Sequence, residues 1–412
     1  MINHNKKIIG AFLGTIVEYY DYSLYAFSAG ILAAKFFPDK DKILGLMYVY
    51  GIYAVSYLGK PIGSIFFSRI GDKYGRRISL KLTMIGIAIP TLIIGILPDH
   101  STIGAAAGLI LILCRFFQGF FVGGEYDGAA IYIIEHLDKK YRYTASAVTR
   151  STGVVGLLLS IAATNLFSSS IFPDWCWRIP FILSLPLTGI TLYYRKFLEE
   201  TPEFIESKKE PKEFIGSIEF LKRHLSVLLL VILFSGGFGV TYQISVIFMK
   251  VYLPLAIPTA SSVISTFSII IVLAFGLAMP FAGLLADRFG RSIVIKISLF
   301  STLIGCLLLA FAINRQLLNL ALVSCILTAI SVSPFNSLAH GIIIKAFKTN
   351  ERYRGVSYGH TIGSLLMSGT ANYICILCMK KYDLILFPIF YTAFFALVAF
   401  ATIKMISTYE KQ

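Results

Sequence analysis

Seven ionisable side chains stand inside long apolar runs of this chain: Glu18, Asp21, Lys60, Arg115, Glu125, Asp127 and Arg150. A charged residue at the centre of a membrane helix costs about 2.5–3.5 kcal/mol on insertion scales, so several together require a purpose. The chemistry they offer is reversible charge. A carboxyl group loads or releases a proton when burial and a neighbouring cation act on it in opposite directions. A guanidinium fork holds a carboxylate through two hydrogen bonds and keeps its own proton. Glu18, Asp21 and Glu125 are therefore the candidates for carrying a proton. Arg115 is the candidate for holding a carboxylate.

Helical geometry groups these residues. At 100° per residue, Glu18, Asp21, Tyr22 and Tyr25 fall within an arc of about 100°. Arg115, Gln118, Val122, Glu125 and Tyr126 make a similar stripe, and Asp127 points the other way. Two such stripes facing one cavity would neutralise each other, with Glu125 the expected partner of Arg115. Lys60 and Arg150 either add anion affinity or snorkel towards water. Tyr22, Tyr25, Tyr126 and Tyr242 offer aromatic faces of the kind that attract a quaternary ammonium. At depth the second half carries Asn336, His340, His360 and Asn372. Its histidines either titrate near neutral pH or form satisfied hydrogen bonds between helices.

The elements that must position these groups follow from composition. The 412 residues are 56% hydrophobic and 14% charged, against about 25% charged in soluble proteins, and the mean hydropathy is +0.75. Lipid is the expected solvent. Twelve apolar runs of spanning length occur at roughly 8–34, 44–69, 78–98, 103–134, 143–168, 177–194, 225–250, 260–286, 292–313, 317–345, 354–379 and 384–406. They are continuous, which excludes the alternating strands of a membrane barrel. With the N-terminus inside, 26 basic residues fall in cytoplasmic segments and 8 outside, so both termini are expected in the cytoplasm. The net charge of +15 is then a topology signal and not a footprint for nucleic acid. Lys6 and Lys7 precede no cleavable signal. The six cysteines form neither a disulfide framework nor a metal site, and no cofactor is implied. The polar stretch between the sixth and seventh runs reads as a linker, giving six-helix bundles at 1–195 and 224–412 joined by 196–223.

The halves repeat. Asp72-Lys73-Tyr74-Gly75-Arg76 follows the second run and Asp287-Arg288-Phe289-Gly290-Arg291 the eighth, which implies two bundles about a central cavity. Gly71-Asp72-Lys73-Tyr74-Gly75-Arg76-Arg77 and this layout resemble the major facilitator superfamily. Gly14-Thr15-Ile16-Val17-Glu18-Tyr19-Tyr20-Asp21, Arg115-Phe116-Phe117-Gln118-Gly119 with Gly123-Gly124-Glu125, and Glu200-Thr201-Pro202-Glu203-Phe204 are similar to signatures of its metabolite:proton symporters. The resemblance spans essentially the whole chain. It implies an all-α fold and proton-driven uptake of a small organic solute, by a monomer in the bacterial inner membrane. The chain departs from the family pattern at Thr15, Lys60, Asp127, Arg150 and His360, all near the expected cavity.

Gly71 and Gly75 are expected to form a tight turn, with Asp72 accepting hydrogen bonds at a neighbouring helix N-terminus. Arg76, beside Arg77, would meet Asp127 or Glu135 in a cytoplasmic latch, of which Asp287, Gly290 and Arg291 are the mirror copy. The even mix of buried acids and bases favours a zwitterion such as proline or betaine over a dicarboxylate or shikimate-like anion. A drug:proton antiporter would want a larger apolar cavity with one isolated acid. A non-transporting sensor would carry an appended domain, and an enzyme a motif such as HExxH or GxSxG. The sequence has none of these.

Overall fold

Large apolar side chains point outward along the helices: Leu277, Phe281, Phe300 and Leu307 are 64–67% exposed. Such a surface associates in water and is satisfied by lipid. The computed structural model is helical throughout and describes residues 2–38, 42–74, 76–136, 139–198, 217–347 and 352–409. Among the described residues, ten helical segments are long and apolar enough to cross a membrane. They coincide with ten of the twelve expected runs. The other two runs are also helical, α1 (Ile2–Phe27) and α2 (Lys42–Tyr74). Charged residues in α1 and a row of tyrosines in α2 lower their apolarity.

The remaining helices are α3 (Arg76–Ile96), α4 (Ala106–His136), α5 (Arg142–Phe167), α6 (Asp174–Arg195), α7 (Leu225–Ala256), α8 (Ile264–Phe289), α9 (Arg291–Asn314), α10 (Leu318–Ala346), α11 (Tyr353–Tyr382) and α12 (Phe387–Tyr409). Among the first six, α1 packs on α5 and α6, and α4 on α2 and α3. Among the last six, α7 packs on α11 and α12, and α10 on α8 and α9. The sets meet most extensively where α5 packs on α8 and α2 on α11.

The contact between α2 and α4 depends on having no side chain. A Cβ on Gly119 would overlap the Ser56 carbonyl, and one on Gly63 would overlap the Phe120 carbonyl. In lipid, backbone approach of this kind supplies the packing energy that hydrophobic burial cannot. It also fixes which faces of α2 and α4 turn to the cavity. Two helices widen beside that cavity: α7 takes π-helical turns at Gln243–Phe248 and α11 at Ser364–Ser368. Turns of this type aim side chains away from the regular stripe. The six cysteines are free thiols.

Gly290, at φ 89°, separates α8 from α9, as a turn glycine should. Gly71, also expected in the turn of the first half, instead continues α2. Gly75 and the side chains of Asp72 and Arg76 lie outside the described residues.

Candidate functional site

A cavity of about 120 Å³ lies between the two sets of helices. On that measure one water needs roughly 10–15 Å³, so the space fits a small solute. Its charged lining is Glu18, Lys60, Asp127 and Arg150, with His360 beside them. Tyr19, Tyr22, Tyr53 and Tyr57 form an aromatic wall, faced by Phe238, Tyr242 and Phe275 from the second set. Lys60 places its ammonium 4.4 Å from the Tyr22 ring centre and 4.0 Å from that of Tyr57, within cation–π range. Glu18 is buried, and its Oε2 has no hydrogen-bond partner among the described residues.

Hydrogen bonds join the two sets on both sides of this space. On one side Gln243 Nε2 donates to the Tyr53 hydroxyl at 3.1 Å and the Tyr57 hydroxyl at 2.5 Å. Farther out, Lys250 Nζ donates to the Phe27 carbonyl at 3.3 Å and to Asn165 Oδ1 at 3.0 Å. On the other side Asp127 Oδ1 lies 2.9 Å from His340 Nε2 and 3.1 Å from His360 Nδ1. Arg150 Nε donates to His340 Nδ1 at 3.2 Å. Beyond this set, Asp287 accepts from the backbone N–H groups of Tyr143 at 3.1 Å and Thr144 at 2.8 Å, and from the Thr144 hydroxyl at 2.7 Å. A carboxylate there stabilises the positive end of α5, and the contact spans the α5–α8 seam. Arg291 and Lys345 both donate to the Tyr143 hydroxyl, at 3.2 Å each.

Several sequence expectations change. Asp127, expected to point away from the Arg115 stripe and, like Glu135, a candidate partner of Arg76, lines the cavity instead. It follows Gly119 and Gly123 at helical spacing, so the close face of α4 carries it inward. The Glu135 side chain lies outside the described residues, and Arg77 donates to the Lys196 carbonyl at 2.8 Å. The stripe of Arg115, Gln118 and Glu125 turns into the first set of helices. Glu125 does not pair with Arg115. Both terminal nitrogens of Arg195 bind its carboxylate, Thr83 donates to it at 2.5 Å, and all of this is buried.

Arg115 sits behind the cavity wall. It donates to Gln118 Oε1 at 2.6 Å and Ser56 Oγ at 3.2 Å, with Tyr22, Tyr25 and Tyr53 ring centres 4.5–5.0 Å from its guanidinium carbon. Gln118 in turn donates to Thr91 Oγ1 at 2.8 Å. Asp21 accepts from Ser184 Oγ at 2.8 Å on α6, and the Tyr25 hydroxyl donates to the Val49 carbonyl at 3.1 Å. Of the α1 stripe, Glu18 and Tyr22 reach the cavity. Asn336 and Tyr242 line it from the second set, while the Tyr126 side chain lies outside the described residues.

Sequence reasoning passed over four residues. Arg195 stands beside Lys196 at a run's end and reads as a topology signal. Tyr53 and Tyr57 stand with Tyr50 and Lys60 at positions i, i+3, i+7 and i+10, a stripe that the 3.6-residue period could have exposed. Gln243 is a polar interruption of a strongly apolar run.

Helices that enclose a small charged cavity and are bonded to each other on both sides of it define a membrane transport protein of the major facilitator fold. Residues 7–224 match the Sugar (and other) transporter family and residues 245–406 the Major Facilitator Superfamily. The chain is 32% identical over 418 residues to the Proline/betaine transporter of Salmonella typhimurium, covering 96% of this chain and 82% of that one. It is 29% identical over 414 residues to the Glycine betaine/proline/ectoine/pipecolic acid transporter OusA of Dickeya dadantii, with the same coverage of 96% and 82%. Its fold is that of the xylose transporter XylE from E. coli in a partially occluded inward open conformation, with a TM-score of 0.73 at 15% identity, covering 99% of this chain and 97% of that one. The chain belongs to the major facilitator superfamily, within its proline/betaine and metabolite:proton symporter family. It is a multi-pass membrane transport protein of the bacterial inner-membrane type, and not an enzyme.

Proposed function

We propose that this protein is a proton-coupled symporter that takes up a zwitterionic organic solute such as proline or a betaine. The observation that carries this reading is the cavity lining: two acids, Glu18 and Asp127, and two bases, Lys60 and Arg150, set among aromatic faces. A zwitterion leaves such a balance unchanged, whereas a dianion adds two charges to a space already neutral. Its carboxylate would sit with Lys60 and Arg150, and its cationic end with Glu18 and the tyrosines. Relatives named for proline, betaine and ectoine transport support the same solute class.

In this reading both termini are cytoplasmic, and twelve helices form two bundles, 1–195 and 224–412, joined by the linker 196–223. The bundles rock about the cavity to give alternating access. The Asp72 to Arg77 motif and its mirror at Asp287 to Arg291 act as the cytoplasmic latch. Each chain contains a whole cavity, so a monomer is the expected working unit. Of the three candidate acids for the proton, Glu18 stands in the lining and is suited to the solute cation, while Asp21 and Glu125 have partners within the first bundle.

The test is a solute panel in proteoliposomes under an imposed pH gradient: proline, glycine betaine and ectoine against a dicarboxylate and shikimate. Accumulation of the zwitterions is expected. Accumulation of the anions alone would reject the zwitterion assignment.

A further inference from the structure

Asp127, His340, His360 and Arg150 form one connected set across the interface, drawn from α4, α10, α11 and α5. We propose that this set takes up the coupled proton: His360 receives it, Asp127 is its counter-ion, and Arg150 with His340 is a positioning relay. The inference rests on the symport reading above and names the site where the proton is held.

Hydrogen-bond direction carries the assignment. An arginine Nε can only donate. His340 Nδ1, 3.2 Å from Arg150 Nε, is therefore the acceptor. In a neutral imidazole the hydrogen is then on Nε2, which donates to Asp127 Oδ1 at 2.9 Å. While this chain holds, His340 stays in one neutral tautomer and Asp127 is an acceptor. His360 Nδ1 lies 3.1 Å from the same oxygen, close enough to form an ion pair with Asp127 once the imidazole carries a proton. Protonation turns that contact between α4 and α11 into a charge-assisted hydrogen bond, of the short and strong kind.

The surrounding charges couple that proton to a solute. Glu18 from α1, Lys60 from α2, Arg150 from α5 and His340 from α10 face the pair, and the Glu125–Arg195 pair lies one layer behind. The α7 residues lining the cavity are uncharged: Phe238, whose ring is stacked 5.9 Å from that of His360, with Gly239, Tyr242, Gln243 and Ile247. A solute carboxylate among Lys60, Arg150 and His360 favours the imidazolium, and by linkage the imidazolium favours the solute. When the solute leaves, the remaining cations expel the proton. Glu18 makes no hydrogen bond to the last six helices among the described residues, so its charge does not act on the interface in the same way.

The test uses the full chain in proteoliposomes with proline and glycine betaine as probes. Three quantities are read: accumulation under a pH gradient, counterflow without one, and proton uptake on solute addition in weak buffer. His360→Asn and Asp127→Asn are each expected to lose more than tenfold in accumulation and to lose the proton signal, with counterflow persisting at a reduced rate. If Asp127→Asn does not reach the membrane, His360→Gln carries the same test. His340→Asn is expected to displace the pH profile of uptake while coupling survives, and an unmoved profile overturns the relay. Full accumulation and an intact proton signal in His360→Asn overturn the site, as does loss of that signal in Glu18→Gln alone. Wild-type counterflow with no response to a pH gradient refutes the symport reading itself, and the inference with it.

Discussion

Arg195 binds Glu125 through both terminal nitrogens in complete burial, tying the end of α6 to the middle of α4. Removing one member of such a pair leaves an uncompensated charge and costs about 3–5 kcal/mol, whereas replacing both with apolar residues of similar volume is often neutral. Arg195→Ala is therefore expected to lower the thermal midpoint in detergent strongly, and Glu125→Leu with Arg195→Met to recover most of it. Scanning fluorimetry on the purified variants measures both. A double variant no better than the single would assign the pair a role beyond stability.

The cavity charges predict a split in solute preference. Lys60 lies over Tyr22 and Tyr57 and faces the same space as Glu18. Lys60→Gln removes a partner of the solute carboxylate. A charge-assisted hydrogen bond is worth about 1.5–3 kcal/mol, so KM for a zwitterion should rise at least tenfold. Glu18→Gln should weaken a betaine more than an uncharged or anionic analogue, because it removes the partner of the cationic end. Competition uptake with a matched set of analogues tests this, and equal loss for all of them would place Glu18 outside the binding site.

How far the sequence reaches is clear from individual residues. Apolar length and the basic clusters mark the helical segments, because the bilayer imposes both on the chain directly. The deep ionisable residues were also visible, since each is costly in an apolar run. Periodicity shows which residues share a face but not which way the face looks. Rotation of α4 is set by Gly119 and Gly123 against α2, which sends Asp127 to the cavity and Glu125 to Arg195. The pairings of Asp127 with His340 and His360 join residues more than 200 positions apart, and no local pattern encodes them.

The same glycine contact yields a prediction about packing. A Cβ at Gly119 would overlap the Ser56 carbonyl, and that is backbone, which cannot rotate away. Gly119→Ala should therefore push α2 from α4, disturb the Ser56 hydroxyl that accepts from Arg115, and reduce both folded yield and uptake severalfold. Gly30→Ala is the control, because a Cβ there meets nothing within 4 Å. Size-exclusion profiles and initial uptake rates give the comparison, and equal behaviour of the two variants would refute the packing argument.

The two ends of the cavity should respond to mutation with opposite signs. Gln243 holds the first and second sets together on the side of Tyr53 and Tyr57, and Asp287 does so at the N-terminus of α5 on the other side. Losing such a bond shifts the balance between open states by about 1–3 kcal/mol, roughly fivefold to more than a hundredfold in population. With the proposed orientation, Gln243→Ala frees the outer side and Asp287→Ala the inner. A cysteine placed at Ser364 in the cavity wall, labelled from outside by a membrane-impermeant maleimide, reads that balance. Labelling should accelerate in Gln243→Ala and slow in Asp287→Ala, each against the Ser364→Cys parent. Reversed signs would invert the orientation, and equal signs would show that the two contacts do not oppose one another across the cavity.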